Sequence, residues 1–595
     1  MNRSIFPYML LGIALSLLWM GVALQSGAQR EKTPLLITDI KALPDGRFLV
    51  TEKGTKQLSL YNSSFANVES SWNFDQTPTG VAFTTDYLFV TTFDQQGELH
   101  VINRSSGKEE KMLRMQSGAR APIVNLSAGE LYVLNQFSNS VTAIDLASMT
   151  IKKQTHVLRE PRGAVMDKAG KYLFVTNFLP QQRADVDTVT ACVSVIDLAT
   201  FTKKTDIPLY NGSNALRDIA LTEDGKYVLV THNLGRFQVP TNQLQQGWMN
   251  TSGVSLISTE SLTHEGTVLL DDPDRGAAGI WGVVCVNDRL IISHSGTHEI
   301  SVIDYPQFIE RFEAYPQKEA LAYDLRFLYG MRERIELHGN GPRSFVVSGS
   351  SLYIPTYFTD IVNVVSLSDL EVKAIPLVSN REPEGVLLGE MYFNDAAYCF
   401  QNWQSCNGCH PGDGRTDGMN WDLMNDGIGN SKNCKSMLYS HVTPPSMISG
   451  IRAMAEIAVR RGFNLIQFYD IPEENALLVD EYLKALRPVP SPYLVDGNLS
   501  EKAIAGRKVF EKLECNNCHS GPYYTDMKMH RIGEDIEFEN GWDTPTLIEV
   551  WRTAPYLFDG RAATMMDVFE THKHGINKKV TKKELEELVE YVNSL

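Results

Sequence analysis

From about residue 35 to about residue 375, short apolar runs rich in β-branched and aromatic residues alternate with short polar turns. In each unit an apolar strand leads through a turn to a second strand ending in Thr or Ser. A polar turn follows, then a strand ending in Ile-Asp or similar. The unit can be read seven times: "LPDGRFLVTEKGTKQLSLYN" from Leu43, "LFVTTFDQQGELHVIN" from Leu88, "LYVLNQFSNSVTAID" from Leu131, and "YLFVTNF" from Tyr172 closing with "CVSVID" at Cys192. The series continues with "GKYVLVTHN" from Gly225 and "GVSLIS" from Gly253, "RLIISHSGTHEISVID" from Arg289, and "SLYIPTYFTDIVNVVSL" from Ser351. Near-alternation bounded by Asp-Gly, Lys-Gly and Asn-Ser turns marks strands. Units of short strands at spacings near 45 residues describe propeller blades, and ring closure removes the edge strand that an open stack would expose. The pattern predicts an all-β seven-bladed propeller over 35–375.

After about residue 380 the strand pattern stops and helical periodicity begins. In "SEKAIAGRKVFEKLECNNCH", Ser500 reads as an N-cap, and Gly506 and Phe510 lie four apart on one helix face. A small and an aromatic residue at that spacing let a second helix approach closely. Gly389 and Phe393 repeat the spacing upstream. The segment "TKKELEELVEYVNSL" opens with a capping box, Thr581 to Glu584, and carries Leu585, Leu588, Val589, Val592 and Leu595 on one stripe. Two mainly α domains follow, 380–490 and 498–595, joined by the stiff "RPVPSPYL" at 487–494.

The ends and the composition set the compartment. Asn2 and Arg3 precede an apolar run from Ile5 to Leu24 and a small, polar exit at Ser26-Gly27-Ala28, which reads as a signal peptide over 1–28. An uncleaved anchor is the alternative, since some twenty apolar residues span a bilayer. Either way the rest of the chain is exported, to a periplasm or cell surface. A formal charge of −16 excludes a nucleic-acid partner, which needs clustered Lys and Arg. Eight cysteines in 595 residues are too few for a disulfide scaffold.

Four of those cysteines form "SCNGCHP" at 405–411 and "ECNNCHS" at 514–520. Cys-x-x-Cys-His is the attachment motif of c-type haem: Cys406 and Cys409, or Cys515 and Cys518, add to the haem vinyls, and His410 or His519 ligates the iron. Structural zinc would need a further pair of Cys or His at finger-like spacing. None stands near residue 515. Two covalently bound haems c are therefore expected, which makes the α domains cytochrome c domains.

The strand-ending Val-Thr-Asn wording resembles YVTN-type propellers. "CNNCHSGPYYTDMKMHRIG" with "DTPTLIEVWRTAPYLFDGRAATMMDVF" resembles the second-haem half of bacterial di-haem cytochrome c peroxidases and their MauG-like relatives over 500–575. The first half, with "SHVTPPSMISGIR", is similar to a branch of that family. It departs from the standard peroxidases in lacking a Phe-Trp-Asp-Gly-Arg segment and an evident distal Gln-and-Glu pair. The resemblance implies an oxidoreductase that takes electrons from a small redox donor protein or external carrier at the second haem. By the same resemblance the first haem then reduces hydrogen peroxide or oxidises a protein substrate; the family holds calcium between its haems, and whether this chain does is left open.

The family's Met or Tyr ligand stands twelve residues past the Gly of Asp-Gly-Arg, and the same count from Gly560 reaches His572, with His574 and Met566 as neighbouring candidates. His441, Met419 and Met424 are candidates at the first haem, and Glu456 is the nearest carboxylate for acid–base work. Cys399 and Cys434 flank the first motif and could form a disulfide. His232, His294 and His298 follow strand ends near a central channel, where histidines are mostly satisfied turn residues. The propeller is therefore assigned docking, with no site and no identified partner, and Cys192 and Cys285 read as buried strand thiols. The competing function is a non-catalytic electron-transfer or surface-binding cytochrome with both irons six-coordinate.

Overall fold

The computed structural model describes residues 33–239, 248–378, 381–423, 431–532 and 539–595. The signal peptide read over 1–28, Met424 and most of the blade-five insertion lie outside the described residues. Seven antiparallel four-stranded sheets follow one another along the chain, each a simple meander, from Ile37–Ala42 to Val372–Pro376. The propeller expectation holds in blade number.

The burial pattern explains the architecture. Second and third strands are almost wholly buried, as in Phe48–Glu52 and Ser140–Asp145, because both of their faces pack against neighbouring blades. Fourth strands are polar and exposed, as in Thr150–His156, and their lysines blunt the outer edge. Blade seven closes on blade one: Val362, Tyr353 and Val346 pack with Phe48, Tyr61 and Phe65, and the Phe48 and Tyr353 rings lie 4.4 Å apart. Cys192 and Cys285 are free thiols. His232 and His294 are buried, with Nε2 on Ser255 Oγ and Ser301 Oγ at 2.7 and 2.8 Å, so they tie strands together. Helix α1 (Tyr305–Ala314) is an excursion within blade six.

The region after Arg381 contains α2 (Gly385–Asn394), α3 (Ala455–Leu465), α4 (Glu473–Ala485), α5 (Glu501–Lys512), α6 (Met565–Glu570) and α7 (Lys582–Asn593). Helix covers only about a third of its described residues; short turns and two-residue ribbons supply the rest, so this part is less helical than the sequence pattern predicts. One arrangement occurs twice. Gly389 of α2 meets α4 so closely that a Cβ would stand 2.0 Å from Leu478 O, and Gly506 of α5 meets α7 with a Cβ 1.8 Å from Glu587 O. The ribbons pairing Asn420–Trp421 with Lys432–Asn433 and Met529–His530 with Trp542–Asp543 correspond in the same way. Ser500 caps α5 at Ala503 N, and the Thr581–Glu584 capping box opens α7. Among the described residues no helix is long and apolar enough to cross a membrane.

Both halves sit on one end of the propeller. Asn250 Nδ2 lies 3.2 Å from Cys409 Sγ, His298 lies 3.3 Å from Asp395, and Ala184 N donates to Gly560 O at 2.9 Å. Arg552 joins the two parts through Glu160 of blade four, at 2.8 Å, in a nearly dry pair.

Candidate functional site

The two Cys-x-x-Cys-His motifs fold alike. Each makes a single short turn, Cys406–Gly408 or Cys515–Asn517, closed by the histidine N–H on the first cysteine's carbonyl at 2.9 Å. In each, histidine Nδ1 meets the carbonyl five residues on: Arg415 O at 3.3 Å from His410 and Tyr524 O at 3.1 Å from His519. A proton held on Nδ1 leaves the lone pair on Nε2, the tautomer a metal ligand requires. Burial lowers the pKa of His410 to about 4 and also lowers that of His519, so both rings are neutral at neutral pH.

One cavity of about 700 Å³ is lined by all six motif residues together with His572, His574, Arg452, Arg561 and many apolar side chains. All four motif thiols are free. An apolar chamber carrying paired thiols, a neutral imidazole for each pair, and guanidinium groups able to meet carboxylates fits haem c. The motifs differ in exposure. Asn516 and Asn517 are exposed, whereas Asn407 and Gly408 are buried beneath the propeller. Gln467 Nε2 lies 3.2 Å from Cys406 Sγ, and Asn250 brings a propeller amide to Cys409. A fallback for metal is the trio Cys518, Asp526 and His530, which is close enough to hold an ion but requires the same Cys518 thiol.

The structure redistributes the distal candidates. Across from His519 stands His574, the rings 6.4 Å apart, a gap that accommodates one metal atom given metal–imidazole bonds of about 2.0 Å. Burial, then the neighbouring His519, lowers the pKa of His574 to about 4. His572 lines the cavity without that pairing. His441 is turned away: its Nε2 lies 3.0 Å from Asp480, a carboxylate also held by Arg460, and it does not line the cavity. Glu456, the carboxylate named for acid–base work, pairs with Lys484 at 3.0 Å and does not line the cavity. Met419 is buried against Phe237, Met249 and Trp421, at the propeller boundary. Cys399 and Cys434 are not joined; Cys434 Sγ lies 3.5 Å from His410 Nδ1.

Superposing the halves by sequence locates what the motif reading missed. The bridge Ser446–Arg452 corresponds to Tyr556–Ala562, so Gly450 matches Gly560. The position of His572 then falls on Gly462, which lines the cavity without a side chain, and that of His574 falls on Asn464, an exposed residue bonded to Asp470. Aligning the two Thr-x-Pro segments, Thr443 and Thr553, exposes this difference in the sequence.

Fold and site together point to a haem-related oxidoreductase, and known proteins agree at that level. The chain is 28% identical over 276 residues to hydrazine synthase subunit gamma of Kuenenia stuttgartiensis, covering 36% of this chain and 78% of that one. It is 26% identical over 186 residues to subunit beta of the same enzyme, covering 30% of this chain and 48% of that one. Cytochrome c551 peroxidase of Nitrosomonas europaea matches at 22% over 307 residues, 42% of this chain and 91% of the other. Among solved structures, Kuenenia stuttgartiensis hydrazine synthase aligns with a TM-score of 0.51 at 21% identity over 57% of this chain and 97% of that one, a likeness of fold. No protein-family model matches the chain.

Proposed function

We propose that the chain is an exported two-haem c-type oxidoreductase whose halves have divided the work. Cys515, Cys518 and His519 would hold one haem, with His574 as a second imidazole for it, near the surface where a small redox donor can dock. Cys406, Cys409 and His410 would hold the other, where Gly462 offers no side chain and so would leave room for a small molecule. Haem bound at these places supplies electron transfer at the second motif and small-ligand redox chemistry at the first. The chain's own residues fix both proximal tautomers, exclude water with an apolar wall, and cover the first motif with the propeller. Similarity to two subunits of hydrazine synthase and to a cytochrome c551 peroxidase supports a redox role for the chain. The reacting molecule belongs to the class of small redox-active species, peroxide by the peroxidase likeness or a nitrogen compound by the hydrazine synthase likeness.

The carrying observation is the replacement of the His572/His574 pair by Gly462 and Asn464. Carbon monoxide added to the reduced protein tests it. The expected result is a spectral change in one haem of two; a change in neither would establish a carrier, and protein containing zinc without haem would end the proposal.

A further inference from the structure

One position recurs in every blade, within or just before the innermost strand. It is Thr38 and Thr79 in blades one and two, Trp281 in blade six, and an arginine in the others: Arg120, Arg162, Arg217 and Arg343. In the first six blades the strand register slips at this point, and such bulges re-aim a side chain. Here the arginines are brought together at the axis: Arg162 and Arg217 share the Phe178 ring, at 4.1 and 5.6 Å, and Arg217 and Arg343 each lie 4.4 Å from the Trp281 ring.

The loop following His410 enters this ring. Asp413 is a common neighbour of Lys53, Arg120, Arg162 and Arg217. It is exposed although propeller residues surround it. Glu160 and Glu549 are engaged by Arg552, Arg162 and Arg415. Asp413 and Glu390 are left to face Lys53, Arg120, Arg217 and Arg343. Positive charge is in excess, and several donors lack partners: Nε of Arg120, Arg162 and Arg343, and both Nε and Nη2 of Arg217. Arg217 is only 9% exposed, is stacked on Trp281 at 4.4 Å, and lines a small polar gap under Ser405, Asn407 and Gly408. Unpaired buried guanidinium groups are costly, and their planar forks match oxygen anions. The occupant is not a carboxylate of a bound haem, because none of the four arginines lines the haem-sized cavity.

We propose that the axial mouth of the propeller is a binding site for a small inorganic oxoanion, held by Arg217 and Arg343 with Arg120 beside Asp413, directly behind the first motif. Nitrate is the probe. The unfolding midpoint of the haem-loaded protein is followed against nitrate at constant ionic strength, balanced with gluconate. A ligand that binds only the folded state raises stability in a saturable way. The expected result is a saturating rise in the wild type, with half-saturation at least tenfold weaker in R217Q and in R343Q and unchanged in the exposed control R47Q. Should a variant fail to fold, bromide soaked into wild-type crystals decides, with an anomalous peak expected within hydrogen-bonding distance of Arg217 or Arg343. A non-saturating response equal in all variants, or bromide found only elsewhere, overturns the proposal.

Discussion

His574 and His572 are separated by one residue, yet only His574 has its ring opposite His519. Replacing His574 by Met should raise the potential of the second haem, because thioether ligation favours the reduced iron, while His572→Met should leave it unchanged. Potentiometric titration of both variants checks this, and equal shifts would reject the choice between the two. Glu160 offers a second residue-scale expectation. Burial opposes its ionisation, but the guanidinium groups of Arg552 and Arg162 outweigh that and hold its pKa at about 2, below the ordinary 4.5. A depressed carboxylate contributes stability that is fully present above about pH 4.5 and is lost as pH falls toward 2. Glu160→Gln should cost about 3–5 kcal/mol at pH 7, as broken buried pairs do. The difference between wild type and variant should shrink below pH 4.5, as measured by denaturant unfolding at each pH.

The crossings of α2 with α4 and of α5 with α7 are each set by a glycine. A methyl group at Gly506 would stand 1.8 Å from Glu587 O, and one at Gly389 2.0 Å from Leu478 O, contacts with backbone that cannot swing aside. Gly506→Ala and Gly389→Ala should each destabilise by about 1–3 kcal/mol or more, read as lower urea midpoints. These crossings were legible in the sequence because glycine and aromatic spacing reports helix contact directly. Blade number was legible for a similar reason: strand alternation is local. The ring that faces His519 was not, because a count along a chain does not fix direction: Lys573 takes a left-handed φ of 50° between His572 and His574, and the second of these rings lies against His519. The partners of His441 and Glu456, Asp480 and Lys484, could not be read because they come from a helix 28 to 39 residues away, and pairing over such distances leaves no mark in local pattern. The arginines were written in the repeats, at one recurring position in four of the seven blades, but strand patterns weigh apolar positions and pass over the polar one.

At the scale of the whole molecule, the propeller treats the two motifs unequally. The backbone of Asn407 and Gly408 is covered by blade five, where Asn233 Nδ2 reaches Gly408 O at 3.4 Å and Asn250 reaches Cys409, whereas Asn516 and Asn517 face solvent. The cover depends on docking, and Arg552 is central to it: 5% exposed, it binds Glu160 of blade four and Glu549 of its own half and lies 4.9 Å over the Phe137 ring. Arg552→Met keeps the apolar length and removes the fork, leaving Glu160 with Arg162 and the Gln136 amide. Local opening governs amide exchange, so weakened docking should speed exchange over residues 405–413 by roughly ten- to a hundredfold, equivalent to about 1.4–2.7 kcal/mol of opening energy. Exchange at 514–520, already outside the cover, should be unchanged. Hydrogen exchange read by mass spectrometry on the haem-loaded wild type and variant compares the two segments within one molecule. Equal acceleration in both would mean that Arg552 supports the haem module as a whole, and the propeller would then not be what shields the first motif.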